Sequence, residues 1–520
     1  MFLPACASLS LAFASIPAPQ AQFVDLGPTQ GSFVGRASLG RDGSEALVQA
    51  AWANVGLWSS RSGARDFVPP GVSLASGSSL YGAALDAAGE TIAFTSLPAS
   101  GGGQQDLRAE VWAPASGRQT LATPPNGSGL AVATAISGDG QFVVGAFEPA
   151  GVFNAYTEAY LACRWTAQGQ ALPLGQLPGG EASSVAVAIS DDGAVVVGND
   201  SVALVGNGYG VWSIDGGFVW TAATGIQAIT QPAEDFLARD VSGDGQVIVG
   251  SGRGPASGAP SVALRRVAGQ PIEELVSPQG TSFCLATNLD GTVIIGYVTG
   301  GAVSPYTSYT GTFVWVEGQG AFALADYLTA RGAVLPASYT LTRALQISAD
   351  GSAILGLGLD AANVQHVWLA YAAPPRFEFG AATCAPAQVN SAGHPASLHG
   401  VGFGYLGGGG VALEVADAPP GATCLFLASR AGGSVLFPGG SQGELCLGGS
   451  IGRFAAPQEV RVADASGAAR LPLDLASLPQ PAGRVAVQPG ETWHFQCWYR
   501  DANPGPTSNF TSGLVEGFEP

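Results

Sequence analysis

The chain has 520 residues, which is too long for one ordinary hydrophobic core, so the sequence predicts at least two domains. Its 76 glycines and 35 prolines, with only 11% charged residues, favour short strands and tight turns over long helices. The formal net charge of −18 would repel phosphate backbones and anionic lipid, so nucleic acid is not an expected partner.

The N-terminal segment 1–21 is a short apolar stretch that ends in small residues and prolines. This pattern predicts a secretory signal peptide cleaved after Ala14 or Ala21, although the usual positive charge before the apolar stretch is missing. No later run approaches the roughly 18 consecutive apolar residues of a membrane-spanning helix. We therefore expect an exported protein, secreted or held at the cell surface, with no transmembrane segment in the mature chain.

A repeated stretch organises residues 22–373: an apolar strand, a Ser-x-Asp-Gly turn, a second apolar strand and a glycine. The clearest copies are 133–145 (ATAISGDGQFVVG), 187–198 (VAISDDGAVVVG), 239–250 (RDVSGDGQVIVG) and 345–356 (LQISADGSAILG). Weaker copies centre on Gly43, Gly89 and Gly291, which brings the turn glycines to seven, spaced 46 to 60 residues apart. A fixed period of this size predicts a propeller or a solenoid.

Each repeat has the composition of a four-stranded blade. The Asp-Gly hairpin is followed by a variable loop, and then by a strand that usually ends in tryptophan and a further apolar strand. The last repeat lacks its fourth strand, whereas 23–27 (FVDLG) resembles the fourth-strand segment 172–175 (LPLG). We therefore predict an all-β fold, a seven-bladed β-propeller closed by the N-terminal strand, in preference to a β-helix or an open array.

The repeats also resemble a known family. The pattern Ala-Ile-Ser-x-Asp-Gly-x-x-Val-Val-Gly, followed by a strand that ends in tryptophan, is similar to the bacterial extracellular HAF repeats. The segments 324–332 (LADYLTARG) and 339–351 (YTLTRALQISADG) resemble the terminal repeat of such proteins, in which a short helix precedes the last hairpin. The name-giving His-Ala-Phe is replaced here by Glu158, Ala159 and Tyr160. The resemblance implies export and no established chemistry.

The variable loops between the second and third strands contain the candidate ligand-binding residues. Three of these loops contain aromatic side chains: Phe153 and Tyr156, then Tyr209 and Trp212, then Tyr306 and Tyr309. Aromatic rings on loops of a rigid scaffold suit a glycan or peptide surface. The alternative is that these rings pack over their own blades.

The sequence assigns no catalytic residue, no cofactor and no metal site. Each Asp-Gly turn offers one carboxylate suited to bonding its own backbone, whereas calcium takes six to eight oxygen ligands. The four histidines show no ligand spacing typical of zinc. Cys163 and Cys284 fall in non-adjacent repeats and are interpreted as buried free thiols.

The repeat period stops near Arg376, and 374–520 is predicted to form a small β-sandwich-like domain. It contains Cys384, Cys424, Cys446 and Cys497, which suggest two disulfides with three possible pairings. We favour Cys384–Cys446 with Cys424–Cys497. The strand 492–500 alternates, so Trp493, Phe495, Cys497 and Tyr499 should face the core.

Four segments of this domain resemble a C-terminal module of secreted planctomycete proteins: 439–453 (GGSQGELCLGGSIGR), 487–493 (VQPGETW), 498–504 (WYRDANP) and 507–511 (TSNFT). This resemblance implies an exported protein and no mechanism.

The favoured function is a secreted or cell-surface binding or structural protein, with a propeller loop face that contacts polysaccharide or a cell-surface protein. The alternative is a propeller enzyme, a glycoside hydrolase or polysaccharide lyase, with Glu181, Asp215, Glu234 or Asp235 as acid and base.

Overall fold

A computed structural model describes the chain over 23–28, 34–50, 55–67, 72–74, 83–98, 107–150, 160–178, 183–206, 211–229, 236–253, 261–275, 281–299, 311–337, 339–372, 376–406, 410–502 and 505–518. The predicted signal peptide, 1–21, lies outside these residues. Within them the fold is all-β apart from one α-helix, α1 (Leu324–Ala330), and a single 3-10 turn at Pro438–Gly440. None of the described helices has the length and apolar character needed to cross a membrane.

Antiparallel strands occupy the first part of the chain, and each pairs mainly with its neighbour in sequence. In chain order they are β1 (Phe23–Pro28), β2 (Val34–Leu39), β3 (Glu45–Ala50), β4 (Val55–Ser59), β5 (Gly63–Phe67), β6 (Val72–Leu74), β7 (Ala83–Leu85), β8 (Ile92–Pro98), β9 (Arg108–Ala113), β10 (Gly117–Thr120), β11 (Gly127–Ile136), β12 (Phe142–Pro149), β13 (Leu161–Thr166), β14 (Ala171–Gly175), β15 (Ser184–Ile189), β16 (Val195–Gly206), β17 (Val211–Thr221), β18 (Gly225–Ala228), β19 (Leu237–Val241), β20 (Val247–Arg253), β21 (Ser261–Val267), β22 (Glu273–Glu274), β23 (Thr281–Thr287), β24 (Val293–Thr299), β25 (Gly311–Val316), β26 (Gly320–Ala323), β27 (Thr340–Ile347), β28 (Ala353–Leu359) and β29 (Gln365–Tyr371).

These strands form sheets that are arranged as a β-propeller. The described sheets are β2–β5, β6–β10, β11–β14, β15–β18, β19–β22, β23–β26, and β27–β29 together with β1. The first strand of each sheet contacts that of the next, with β7 in this position in the second sheet, and β2 contacts β27, so the circle is closed.

The N-terminal strand completes the last sheet, as predicted. β1 pairs antiparallel with β29, and Phe23 stacks on Trp368 with ring centroids 6.1 Å apart. His366 Nδ1 lies 2.9 Å from the Asp25 carboxylate and adds a polar contact across the same seam. The seam therefore joins the first and last strands of the propeller without a covalent bond.

The Ser-x-Asp-Gly motif forms a self-contained turn. In the third sheet the Ser137 hydroxyl donates to Asp139 at 2.6 Å, and the same carboxylate accepts from the Gln141 amide at 2.9 Å. Gly140 has φ +68°, a conformation that glycine adopts without strain. The motif carboxylate is therefore engaged in its own turn, as the sequence suggested.

The C-terminal part contains two main sheets and two small hairpins. Its strands are β30 (Glu378–Phe379), β31 (Ala381–Thr383), β32 (Ser397–Val401), β33 (Ala412–Ala416), β34 (Thr423–Ser429), β35 (Ala431–Leu436), β36 (Glu444–Gly448), β37 (Gly452–Arg453), β38 (Arg461–Val462), β39 (Ala469–Pro472), β40 (Leu478–Gln480), β41 (Gly483–Val485), β42 (Thr492–Ala502), β43 (Pro506–Phe510) and β44 (Gly513–Gly517). One sheet has the order β30-β32-β33-β39, and the other is built around β31-β44-β42-β34-β37.

One hydrophobic cluster fills the space between these two sheets. Trp493, Phe495, Cys497 and Tyr499 of β42 are buried in it, which confirms the predicted facing of this strand. Gln496 is also buried. Hydrogen bonds satisfy its amide: the side-chain oxygen accepts from the Cys446 amide, and the side-chain nitrogen donates to the carbonyls of Glu444 and Thr511.

Of the two predicted disulfides, the structure contains Cys384–Cys446. The prediction of Cys424–Cys497 was wrong, since both are free and buried. Cys424 lies opposite Tyr499 and Cys497 lies opposite Phe426, so the two cysteines are diagonal neighbours across β34 and β42. Diagonal neighbours have Cα atoms about 7–8 Å apart, whereas a disulfide spans about 4.4–6.8 Å.

The two parts of the molecule share a cluster of aromatic side chains. Phe403 packs edge-on against Trp58 of the first sheet at 5.8 Å and contacts Tyr371 of the last sheet at 6.2 Å. The Trp58 indole donates to the Tyr405 hydroxyl at 3.3 Å, and the Gly404 amide donates to the Ser60 carbonyl. The C-terminal part therefore covers the junction of the first and last sheets.

Candidate functional site

The central channel of the propeller encloses a cavity of about 340 Å³. The inner strands β2, β7, β11, β15, β19, β23 and β27 line it. Each of these strands runs towards the turn glycine of its repeat, so we call that end of the channel the turn end. The opposite end, beside the connections between second and third strands, is the loop end.

A circle of backbone hydrogen bonds connects the turns at the turn end of the channel. In the described part of the chain the amides of Arg41, Ala87, Asp139, Asp191, Asp244, Leu289 and Ala349 donate to the carbonyls of Ala87, Gly138, Asp191, Gly243, Leu289, Ala349 and Arg41, respectively. Every distance lies between 2.8 and 3.1 Å, so the turns are joined to one another at the level of the main chain.

An ion pair crosses this end of the channel. Arg41 Nη2 lies 3.8 Å from Asp191 Oδ2, although the two residues belong to the first and fourth sheets. Burial raises the pKa of Asp191, Arg41 opposes this shift, and the neighbouring Asp139, Asp192 and Asp244 add to it. The carboxylate at the turn end therefore already has a cationic partner.

Five of the motifs end in a glycine that lets the second strand approach the inner strand closely: Gly145, Gly198, Gly250, Gly296 and Gly356. A β carbon on Gly250 would clash with the Leu237 carbonyl oxygen, and one on Gly198 would clash with that of Val185. Each of these glycines faces a β-bulge in the inner strand. The bulged residues, six positions before the turn glycine, are Thr134, Val187, Arg239, Leu285 and Leu345, and all of them line the cavity.

Arg239 is the charged member of this set. Its side chain is exposed to solvent, and it lines the cavity. The solvent that it contacts is therefore the solvent of the channel, and protein atoms surround it on the other sides. This enclosure lowers the pKa of Arg239; Tyr297 acts in the opposite direction, and Arg343 lowers the pKa further. Arg239 forms no ion pair with a carboxylate of the described residues.

Arg343 lies on β27, eight residues before its turn glycine, and therefore nearer the loop end than Arg239. Its guanidinium carbon is 5.6 Å from the ring centroid of Tyr297, a cation–π contact. Tyr297 in turn stacks on Phe283, with ring centroids 5.0 Å apart. Two arginines and an aromatic pair from the fifth, sixth and seventh sheets thus meet at one side of the channel.

The other carboxylate that lines the cavity is directed to the backbone. Asp240 accepts a hydrogen bond at 2.9 Å from its neighbour Val241 and another at 3.0 Å from the Thr287 amide. The channel therefore has an ion pair at its turn end and, nearer the loop end, a cationic wall formed by Arg239 and Arg343. Chemically, this wall can hold an anionic group.

The candidate residues predicted on the loops mostly lie outside the described residues. This applies to Tyr156, Tyr209, Tyr306 and Tyr309, together with Phe153, Glu181, Glu234 and Asp235. For Trp212 and Asp215 the structure describes the backbone alone. Both are in β17, where Trp212 pairs with Val205, so the predicted loop is here a pair of long strands.

Sequence reasoning missed Arg239 and Arg343. An available signal was the slot six positions before each turn glycine, which holds Ala37, Ala83, Thr134, Val187, Arg239, Leu285 and Leu345. One arginine stands among small or apolar residues in this series. The bulge that turns this slot into the channel could not be read from the sequence.

Comparisons with known proteins concern the fold. No family model matches the chain, and no curated protein does so either. The solved structures that it resembles include oligogalacturonate lyase from Vibrio parahaemolyticus, at 13% identity and TM-score 0.45, with 67% of this chain and 93% of that chain covered. The β-propeller domain of the Trilobed protease from Pyrococcus furiosus follows, at 10% identity, TM-score 0.43 and coverage of 68% and 94%. A further neighbour is a putative TolB from Agrobacterium tumefaciens, at 11% identity, TM-score 0.32 and coverage of 65% and 90%. At these values the likeness says nothing about what this chain binds.

Proposed function

We propose that this is an exported binding protein whose propeller receives a polysaccharide ligand at the loop end of the central channel. The observation that supports this most directly is the asymmetry of the channel: the Arg41–Asp191 ion pair lies at its turn end, whereas Arg239 and Arg343 line it nearer the loop end. Ligand sites are concave, largely preformed and equipped with a few converging polar groups.

Two further observations support the proposal. The predicted signal peptide and the Cys384–Cys446 disulfide both fit an oxidising compartment outside the cytosol. The sequence places the aromatic residues predicted to contact ligand, among them Tyr209 and Trp212, between the second and third apolar segments of their repeats, and we propose that they face the loop end. A scaffold of rigid sheets with variable connections at one end is a common arrangement for binding surfaces.

Channel binding can be tested by filling the cavity without altering its charge. Val187 lines the cavity, so Val187→Phe should block entry, whereas Leu172→Phe, at an exposed position of the outermost strand β14, should not. Residues 22–520 and both variants would be assayed on an immobilised polysaccharide panel, with thermal melts to verify folding. We expect Val187→Phe to weaken binding by about 10-fold or more, the loss typical of an obstructed central contact.

A second variant tests the loop end. Tyr209→Ala/Trp212→Ala should also weaken binding if the predicted aromatic residues contact the ligand. Binding that is equal in the parent chain and Val187→Phe would place the ligand outside the channel and contradict the proposal. Absence of binding to every polysaccharide on the panel would overturn the ligand class.

A further inference from the structure

We infer that Arg239 and Arg343 together form a site for a carboxylate group of the ligand, so that the polysaccharide is an acidic one. This inference rests on the proposed function, because it assumes that ligand enters the channel from the loop end. It adds the chemical class of the ligand and the two side chains that recognise it.

The charge balance makes this arginine pair unusual in the molecule. The chain has 38 acidic residues and 20 basic ones, and most described arginines with ion pairs contact a carboxylate of their own sheet or of the next. Arg265, for example, contacts both Glu273 and Glu317. Arg239 instead has another guanidinium among its electrostatic neighbours.

Placing two cations together in an enclosed channel is unfavourable. Enclosure penalises the charged form of Arg239, and repulsion from the Arg343 guanidinium adds to the penalty. An anion between them would reverse the sign of the second effect and replace part of the lost hydration. Charged groups held in such an environment cluster at functional sites, which makes ligand binding the favoured reason for this arrangement.

The two carboxylates that line the cavity have partners of their own. Asp191 is occupied by Arg41 at the turn end, and Asp240 accepts backbone amides of Val241 and Thr287. Stacking on Tyr297 restricts the guanidinium plane of Arg343. A restricted planar fork suits a carboxylate, which can accept two parallel N–H donors from one guanidinium.

The size of the cavity limits what can enter. About 340 Å³ is near the lower end of the range for small-ligand sites, so a single sugar-sized group fits and a folded chain does not. A uronic acid unit at the end of a polysaccharide, with its carboxylate directed at Arg239 and Arg343, satisfies both the size and the charge.

The probes for the test are an oligosaccharide of glucuronic acid and its methyl ester, which has the same shape without the charge. Calorimetric titrations would use residues 22–520, the variants Arg239→Gln and Arg343→Gln, and the double variant. Arg108→Gln is the matched control, because Arg108 is an exposed arginine on β9 that does not line the cavity. Because a hydrogen bond between charged groups contributes strongly to binding, each single variant should bind the acidic oligosaccharide about 10- to 100-fold more weakly than the parent chain does.

The parent chain should bind the acid and discriminate against the ester by a similar factor, and Arg108→Gln should match the parent. Added salt should weaken binding of the acid more than that of any neutral sugar. Thermal melts without ligand identify any variant that fails to fold, and Arg239→Lys, which keeps the charge but not the fork, should retain only part of the affinity.

Equal binding of acid and ester, or unchanged affinity in the double variant, would overturn the carboxylate site. If neutral polysaccharide still bound and Val187→Phe still abolished that binding, the proposed function would stand without this inference. If Val187→Phe also left binding unchanged, the results would contradict both the proposed function and the carboxylate site.

Discussion

The propeller and the C-terminal sandwich are stabilised in different ways. The apolar side chains of the propeller are divided among separate clusters, each between two neighbouring sheets, such as the one containing Val144, Phe218 and Trp220. The sandwich has one continuous cluster between its sheets, with Trp493 and Phe495 fully buried, and a disulfide that ties Cys384 to Cys446.

This difference shows where the specific geometry of each part comes from. A small cluster between two sheets does not determine how those sheets are inclined around a channel. In the propeller, that role belongs to backbone features: the turn glycines, the glycines opposite the bulges, and the circle of hydrogen bonds at the turn end. We therefore expect the sandwich to depend most on its core and covalent bond, and the propeller on glycines and turn carboxylates.

The largest expected effect concerns the disulfide. Cys384 and Cys446 are 62 residues apart, and closure of a loop of that length stabilises a fold by about 4 kcal/mol in the chain-entropy model. Cys384→Ser/Cys446→Ser should lower the free energy of unfolding of the sandwich by this order, as followed by urea denaturation. Reductant should have the same effect on the parent chain and none on the variant. An unchanged midpoint after reduction would show that the covalent bond is not what distinguishes the sandwich.

An intermediate effect is expected at the glycine that opposes a bulge. Gly198→Ala would force the new methyl group against the Val185 carbonyl and the ring of Phe218, and overpacking of this kind costs about 2 kcal/mol. Gly311→Ala, at a strand position with open space around it, is the matched control and should be nearly neutral. Denaturant midpoints would compare the two, and equal losses would mean that close approach at the bulge is not a constraint.

The smallest effect should come from a turn carboxylate, and it depends on pH. Burial acts to raise the pKa of Asp350, but hydrogen bonds from Ser348 and Ser352 outweigh it and leave this pKa below its ordinary value. The carboxylate therefore stabilises the fold above its unfolded pKa of about 3.9, and this contribution is lost as pH falls through the lower folded value.

Asp350→Ala should accordingly lower the free energy of unfolding by about 1 kcal/mol at pH 7, and the difference from the parent chain should shrink in acid. Asp350→Asn retains an acceptor for the Ser352 amide, so its loss at pH 7 should be smaller. Thermal melts from pH 7 to pH 3 would measure both. A difference that grew in acid would contradict the assigned direction of the pKa shift.

Sequence reasoning succeeded for features that depend on neighbouring residues, on the repeat pattern or on a small number of possible pairings. The Asp-Gly turns, the all-β propeller, the N-terminal strand in the last sheet and the Cys384–Cys446 bridge were all predicted. Turn chemistry depends on four neighbouring residues, and the repeated period, together with an N-terminal segment that supplies the missing fourth strand, indicates a closed arrangement. The signal peptide, the HAF resemblance and the loop aromatics remain predictions.

The failures concern residues that meet only through register and curvature. Cys424–Cys497 belonged to the favoured one of three possible pairings, but the register of β34 and β42 places the two cysteines diagonally. Arg239 and Arg343 are 104 positions apart and belong to non-adjacent sheets, so no spacing in the chain brings them together.

By itself, then, the amino-acid sequence determined the strand-and-turn period, the change of character near Arg376 and the acidic net charge, because these depend on neighbouring residues and on composition. The tertiary structure alone decided which side chains line the channel and at which end each of them lies. The physical reason is that in five of the described sheets a bulge, which faces a glycine of the adjacent strand, turns the residue six positions before the turn glycine inward. Only closure of the circle then brings the inward residues of different sheets within range of one another.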